Sequence, residues 1–216
     1  MDTTPLPVPY VIGLAHWAID DVAAFVIASL IAVMVNAEGQ AFVATAMGDV
    51  HSDRSRRLHF NAFLHLDILG SIAFLIAGFG WPKKIDIDTT RFVTPRLYTI
   101  LIRFGGPVAN FLMAGIAGSI VWVMTRWGSH DRVFTMVAVV NVTMAVYHLI
   151  PIPPLAGSSL ISTFLDANKA SWKFYTRTGP FFLIGIFLLE RFSQFKPISN
   201  FLKPWVAHGF NFIINN

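Results

Sequence analysis

Residues 22–49 read VAAFVIASLIAVMVNAEGQAFVATAMGD. The stretch has no charged residue from Val22 to Val35, and with the turns that follow it reaches the roughly 20 residues that span a bilayer. Its last turns carry Asn36, Glu38 and Gln40, where an apolar run would simply continue. Because lipid offers no hydrogen-bond partners, such side chains must be satisfied inside the protein, and this polar turn is therefore a candidate functional site.

The composition of the whole chain also indicates a membrane protein. Of 216 residues, 55% are hydrophobic and only 13% are charged, which lies outside the usage of soluble domains. We therefore expect an all-α polytopic membrane protein, one domain over residues 1–216, with about five or six transmembrane or partial-span helices. The net charge of +4 comes mostly from short inter-helix segments, which favours membrane lipid over nucleic acid as a partner.

Further apolar segments follow the first span at residues 60–81, 97–127, 133–150 and 180–189, with an amphipathic tail over 195–214. The short apolar piece 10–19 predicts an interfacial helix, in which His16 is an interfacial polar residue rather than a ligand. Arg54, Arg56 and Arg57 predict a cytoplasmic loop after the first span. The expected location is the inner membrane of a bacterium, crossed several times.

Several later segments carry residues that are unusual in a span. His65 and Asp67 lie at the mouth of the second span and predict either a polar hinge or a carboxylate that orients an imidazole. Arg103 is expected to snorkel to the interface. The small residues Gly115 and Gly118 predict close helix packing. Asn141 and His148 lie in the fourth span, which ends at the proline-rich break PIPPLAG over 151–157.

The loop 81–96 alternates apolar and acidic residues. This pattern predicts a short β element whose edge could receive an extended peptide, although an ordinary charged connector fits equally well. The candidate partner-binding residues of this loop are Lys83, Lys84, Ile85, Asp86, Ile87 and Asp88.

Five blocks of the chain resemble, in order and spacing, the site-2 protease family of intramembrane zinc metalloproteases. NAEGQAFVATAMGD (36–49) is similar to that family's HExxHAxxAxxxGD, and LHFNAFLHLDILG (58–70) to its LxxNPxxHxDPxG. GFGWPKKIDID (78–88) resembles GxGWAKPVPV, GGPVANF (105–111) resembles AGPxANL, and HLIPIPPLAGSSLI (148–161) resembles NLLPIPPLDGSRIL. The resemblance covers essentially the whole chain and implies the family's fold.

The departures from the family pattern fall on its chemistry. In that family two histidines and one aspartate bind zinc, and the HExxH glutamate activates water. The matching positions here are Asn36, Gln40, Ala156 and Ala37, none of which is a good zinc ligand or base. The resemblance therefore implies no catalytic residue, no metal and no cofactor.

Two arrangements of the former site stay open from the sequence. In the first, polar side chains form a hydrogen-bonded plug that replaces the metal. The candidate members of this polar cluster are Asn36, Gln40, His65, Asp67, Asn110 and His148. In the second, His65 and His148 join a carboxylate, Asp67 or Glu38, in a remodelled metal site.

Three classes of function follow. The favoured one is a pseudoprotease that binds or scaffolds other integral membrane proteins, either as an accessory subunit or as a regulator that sequesters its partner. The alternative is an active intramembrane metalloprotease that uses His65 and His148. A third class, in which a membrane histidine is the axial ligand of a pigment or cofactor, has no specific support at helical spacing.

Overall fold

A computed structural model describes residues 6–13, 18–49, 59–88, 90, 92–129, 131–161, 164 and 170–215. The predictions for His16 and for Arg54, Arg56 and Arg57 fall outside these residues. The described part is all helical and has no strand, so the predicted all-α class is confirmed. Its elements are α1 (Ile19–Ala46), a 3-10 helix (Ala62–His65), α2 (Ile68–Ala77), α3 (Pro95–Arg126), α4 (Arg132–Tyr147), α5 (Ser158–Ile161), α6 (Ala170–Phe192) and α7 (Pro197–Asn215).

Two helices of the described part are long and apolar enough to cross a membrane. They are α1, with 28 residues, and α3, with 32. At 1.5 Å per residue, α1 is roughly 42 Å long and exceeds the ~30 Å hydrocarbon core. α4 is apolar but has only 16 residues. Many large apolar side chains are exposed, among them Ile27, Leu112 and Phe181, as lipid contact requires. The count of five or six spans stays a prediction.

The predicted second span is divided into two pieces. The chain forms the 3-10 helix, becomes extended at Leu66, and begins α2 only after Asp67. The division occurs because the Asp67 carboxylate accepts a hydrogen bond from the amide of Gly70, 2.8 Å away, and so caps α2. The apolar run of the sequence is therefore not one helix, and α2 has 10 residues.

The predicted β element is likewise absent from the residues described. Residues 83–88 have no regular structure. The nearest pairing is an isolated antiparallel bridge between Leu66 and Pro82, followed by a 2.7 Å hydrogen bond from the amide of Lys83 to the carbonyl of His65. The alternating pattern did not produce a strand because no second strand of the described part lies beside these residues.

The core of the fold is the contact of α1 with α3 and α4. α1 presents small residues to its neighbours, including the buried Ala24, Ala28 and Ala32 at four-residue spacing. At Gly39 the backbones of α1 and α3 approach so closely that an added Cβ would lie 2.6 Å from the carbonyl oxygen of Gly105. This approach brings the polar turn of α1 against α3 and α4.

The predicted packing role of the α3 glycines holds for one of the two positions. A Cβ at Gly118 would lie 2.1 Å from Ile213 of α7, so α7 packs closely there. A Cβ at Gly115 would meet nothing within 4 Å.

We predict that Gly39→Ala lowers the free energy of unfolding by about 1–3 kcal/mol, because the new methyl group forces α1 away from α3. Thermal unfolding of the detergent-purified protein measures this effect. Gly115→Ala is the matched control: it should be neutral or stabilising by up to about 1 kcal/mol through helix propensity alone. Equal melting temperatures for the two variants would contradict the close approach.

Candidate functional site

A continuous chain of side-chain amides crosses the interior where α1, α3 and α4 meet. We call its four members, Asn36, Gln40, Asn110 and Asn141, the amide chain. Gln40 donates to the Oδ1 of Asn36 (2.8 Å), Asn36 donates to the Oδ1 of Asn110 (2.6 Å), and Asn110 donates to the Oδ1 of Asn141 (2.8 Å). The structure thus joins residues that are up to 105 positions apart in sequence.

Two further amide hydrogens of the chain bind backbone carbonyls. Asn110 also donates to the carbonyl of Ala32 (2.9 Å), and Asn141 donates to that of Val137 (2.9 Å). Asn36, Asn110 and Asn141 are all 0% exposed. In an apolar interior each unpaired polar group would be costly, so the mutual pairing is what permits these residues to be buried.

The absence of a side chain at Gly106 makes room for the amide chain. A Cβ at this position would lie 2.5 Å from the Oδ1 of Asn36. Asn36 therefore lies directly against the backbone of α3, one turn before Asn110, whose side chain receives its hydrogen bond. The GGP part of the GGPVANF block thus has a packing reason in this chain.

Arg103 connects the amide chain to the loop after α2. One guanidinium nitrogen donates to the Oε1 of Gln40 (2.9 Å), and the other donates to the carbonyl of Ile85 (3.1 Å). The expectation that Arg103 snorkels is therefore wrong: its side chain is half-buried because Gln40 and Ile85 offer it two acceptors within the protein.

Glu38 lies on another face of α1 and is not part of the amide chain. Its Oε1 accepts from the Nε2 of His65 (2.9 Å) and from the backbone amides of His59 (2.9 Å) and Phe60 (3.4 Å). These bonds attach the segment 59–65 to α1. His65, which we predicted to join the polar cluster, is instead the partner of Glu38.

Asp67 and His148 also lie apart from the amide chain. Besides capping α2, Asp67 accepts from the indole Nε1 of Trp81 (3.0 Å), so it positions the start of the 81–88 loop. His148 is 2% exposed and donates from Nε2 to the carbonyl of Gly80 (3.1 Å). The predicted cluster of six therefore divides, and only Asn36, Gln40 and Asn110 share one hydrogen-bonded chain.

The proline-rich break begins three residues after His148. The amide of Gly157 donates to the carbonyl of His148 (2.8 Å), and the hydroxyl of Tyr175 donates to that of Pro151. These bonds pair two backbone carbonyls at the break, where the helix has ended and helical partners are lacking. Ala156, at the position of the family's aspartate, is 3% exposed.

The predicted partner loop is held at its start and in its middle. The bridge at Pro82 fixes the start, and the bond from Arg103 fixes Ile85. Lys83, Lys84 and Asp86 are exposed, while Ile85 and Ile87 are half-buried. Although the Lys84 residue is exposed, partial desolvation of its ammonium group by the surrounding protein lowers its pKa; the charge of Arg103 lowers this pKa further, and Asp86 raises it.

The sequence does not predict the roles of two residues, Asn141 and Arg103, in this arrangement. It places Asn141 in the fourth span without a partner, and it predicts that Arg103 lies at the interface. An amide in the middle of the apolar helix α4 was itself the available signal, because such a group needs a partner within the protein. Nothing in the sequence indicates which partner Asn141 has.

The side chains that match the family's zinc-ligand and general-base positions in the resemblance do not fit a zinc ion. Ala37 and Ala156 have no donor atom, and the side-chain oxygens of Asn36 and Gln40 already accept hydrogen bonds from Gln40 and Arg103. Neutral amides are poor zinc ligands beside imidazole and carboxylate. Among the described residues, no group of three His, Cys, Asp or Glu side chains is placed to hold a metal ion.

The described part is helical and contains two apolar helices long enough to cross a membrane, and the five sequence blocks resemble the site-2 protease family. The chain is similar to "Putative zinc metalloprotease YwhC" of Bacillus subtilis (strain 168), with 31% identity over 145 residues. This similarity confirms the predicted resemblance to a zinc metalloprotease family. The matched region covers 63% of this chain and 66% of YwhC, slightly less than two thirds of that relative. No protein-family model and no solved structure matches the chain.

We predict that Asn110→Ala lowers the free energy of unfolding by about 1–3 kcal/mol, because it removes the acceptor of the Asn36 amide and the side-chain donor to both the Oδ1 of Asn141 and the carbonyl of Ala32. Chemical or thermal unfolding in detergent measures the loss. Asn211→Ala, at an exposed position of α7, is the matched control and should change stability by no more than about 0.5 kcal/mol. Equal unfolding stabilities of the Asn110→Ala and Asn211→Ala variants would show that the amide chain does not hold the helices together.

Proposed function

We propose that this chain is a non-catalytic, site-2-protease-like integral membrane protein that binds or scaffolds other membrane proteins. The observation that carries the proposal is the amide chain, because it occupies two of the family's zinc-ligand positions and uses their oxygens for hydrogen bonds within the protein. A third ligand position and the position of the general base are alanines. The fold resembles that of a protease, while the groups its chemistry requires are missing.

The glutamate next to the base position does not supply the missing base. Oε1 of Glu38 accepts hydrogen bonds from the side chain of His65 and from two backbone amides. This carboxylate fastens the segment 59–65 to α1, on a face away from the amide chain. We infer a structural role for Glu38 rather than activation of water.

The loop from Lys83 to Asp88 is the partner-binding surface in this proposal. Its exposed side chains face away from the protein, while the bond from Arg103 to Ile85 links its backbone to the amide chain. A partner that binds this loop would therefore contact a segment that is already positioned, which reduces the ordering cost of association.

The proposed site of action of the protein is a membrane. We expect a multi-pass protein of a bacterial inner membrane that acts as an accessory subunit or sequesters its partner. The partner's chemistry is that of a transmembrane helix or another membrane subunit. No nucleic acid and no cofactor takes part.

We predict that the protein purified in detergent contains much less than one zinc per chain by elemental mass spectrometry, because the former ligand positions offer no imidazole or carboxylate. A zinc protein of known stoichiometry, carried through the same purification, is the control.

The same measurement decides the alternative of an active metalloprotease. About one zinc per chain, lost in both His65→Ala and His148→Ala, would replace our proposal with a remodelled metal site. Cleavage of a membrane-embedded peptide by the purified protein, inhibited by a zinc chelator, would have the same consequence.

We predict that a photo-crosslinking residue at position 83 captures one specific membrane protein in cells, because Lys83 lies exposed on the proposed binding loop. The same probe at Lys173, exposed on α6, is the matched control. Arg103→Gln should reduce the yield from position 83 several-fold, since Ile85 then loses its charged donor. Identical adducts from both probe positions, or only lipid adducts from position 83, would contradict the proposed surface.

A further inference from the structure

A cavity of about 400 Å³ lies between the end of α6, α7, the end of α2 and the segment before α1. It shares no lining residue with the amide chain or the partner loop, so it can be argued independently of the proposed function. Its volume lies at the small end of the range for ligand-binding pockets.

The polar part of the lining consists of Glu190, Arg191, Lys196, Ser199 and Lys203. The carboxylate of Glu190 binds the start of α7: its Oε1 accepts from the amide of Ile198 at 2.6 Å, and its Oε2 accepts from the hydroxyl of Ser199. Glu190 is 3% exposed. This carboxylate therefore has a structural task in fixing α7 to α6.

The positively charged side chains of the lining differ in how many hydrogen bonds they make within the protein. Arg191 donates to the carbonyl of Ile12 (2.6 Å) and to that of Ile76 (3.2 Å), two of the five N–H bonds that a guanidinium offers. The side-chain ammonium groups of Lys196 and Lys203 make no hydrogen bond or ion pair with any residue that the structure describes. Three cations thus face one carboxylate, and the cavity has an excess of positive charge.

Apart from Tyr147, the rest of the lining is apolar. It is formed by Pro9, Val11, Ile76, Ala77, Phe187 and Phe192. A site for a free inorganic anion would not need such a wall, whereas the ligand of a half-cationic, half-apolar cavity is itself amphipathic.

The surroundings of the cavity are those of a membrane interface. On α7, Leu202 and Val206 point inward and are buried, while Phe201 and Trp205 are exposed. Phe195, just before α7, is also exposed. Exposed aromatic side chains beside lysines are typical of the level at which lipid head groups lie.

We propose that this cavity binds an anionic glycerophospholipid. Lys196 and Lys203 contact the phosphate oxygens, and the start of one acyl chain lies against Phe187 and Phe192, with the rest of the lipid in the bilayer. Ammonium groups bind phosphate as point charges, and Arg191 adds to the positive field. A zwitterionic head group has a cation of its own, which Lys196, Lys203 and Arg191 would repel, so binding of such a lipid is disfavoured.

The test compares lipids and variants on the full-length protein in detergent. Dioleoylphosphatidylglycerol, dioleoylphosphatidylcholine and glycerol phosphate are each titrated, with native mass spectrometry to count bound molecules and thermal unfolding to measure stabilisation. The double variant Lys196→Gln with Lys203→Gln removes both ammonium groups, and Lys173→Gln on α6 is the matched control for loss of an exposed lysine.

We expect the wild type to bind one phosphatidylglycerol selectively and to melt at a higher temperature in its presence. The double variant should bind phosphatidylglycerol about thirtyfold more weakly, because each lysine contributes roughly 1 kcal/mol of binding free energy. Lys173→Gln should bind it as the wild type does. Equal binding of phosphatidylcholine, or a double variant that binds like Lys173→Gln, would overturn the proposal. If glycerol phosphate competes for the cavity as strongly as the lipid does, the claim that the bound phosphate belongs to a lipid would be wrong.

Discussion

The structure depends on one constraint: an amide buried between apolar helices must be hydrogen-bonded to another group of the protein. Asn36, Asn110 and Asn141 come from three helices, and each is completely buried. Their mutual bonds fix the rotation of α1, α3 and α4 about their axes, because only one rotational orientation of each helix places the amides within hydrogen-bond distance of one another. The close approach at Gly39 and Gly106 serves this arrangement.

The helical class, the apolar helices and part of the site could be predicted from the sequence. The four-residue spacing of Asn36 and Gln40 places them on one helix face, and the GGPVANF block directs Asn110 towards them. Intramembrane polar residues are few, so their pairing is a strong inference. The similarity to a zinc metalloprotease supports the family resemblance on which that reading also rested.

The remaining features depend on backbone turns that periodicity does not encode. His65 faces Glu38 rather than the amide chain because the extended residue Leu66 and the cap at Asp67 redirect the segment. The alternating residues 85–88 have no neighbouring strand in the described part, so the pattern had no partner to pair with. In both places the structure depends on what packs beside the segment, which a local sequence pattern does not contain.

The amide chain also has a direction, and its two ends determine that direction. The guanidinium of Arg103 can only donate, so Gln40 must turn its oxygen to it and its nitrogen to Asn36; the carbonyl of Val137 at the other end can only accept. The four side-chain dipoles are therefore aligned head to tail, like the peptide units of a helix. No single amide of the four can be reversed alone, so the set behaves as one electrostatic unit lying across the helix axes.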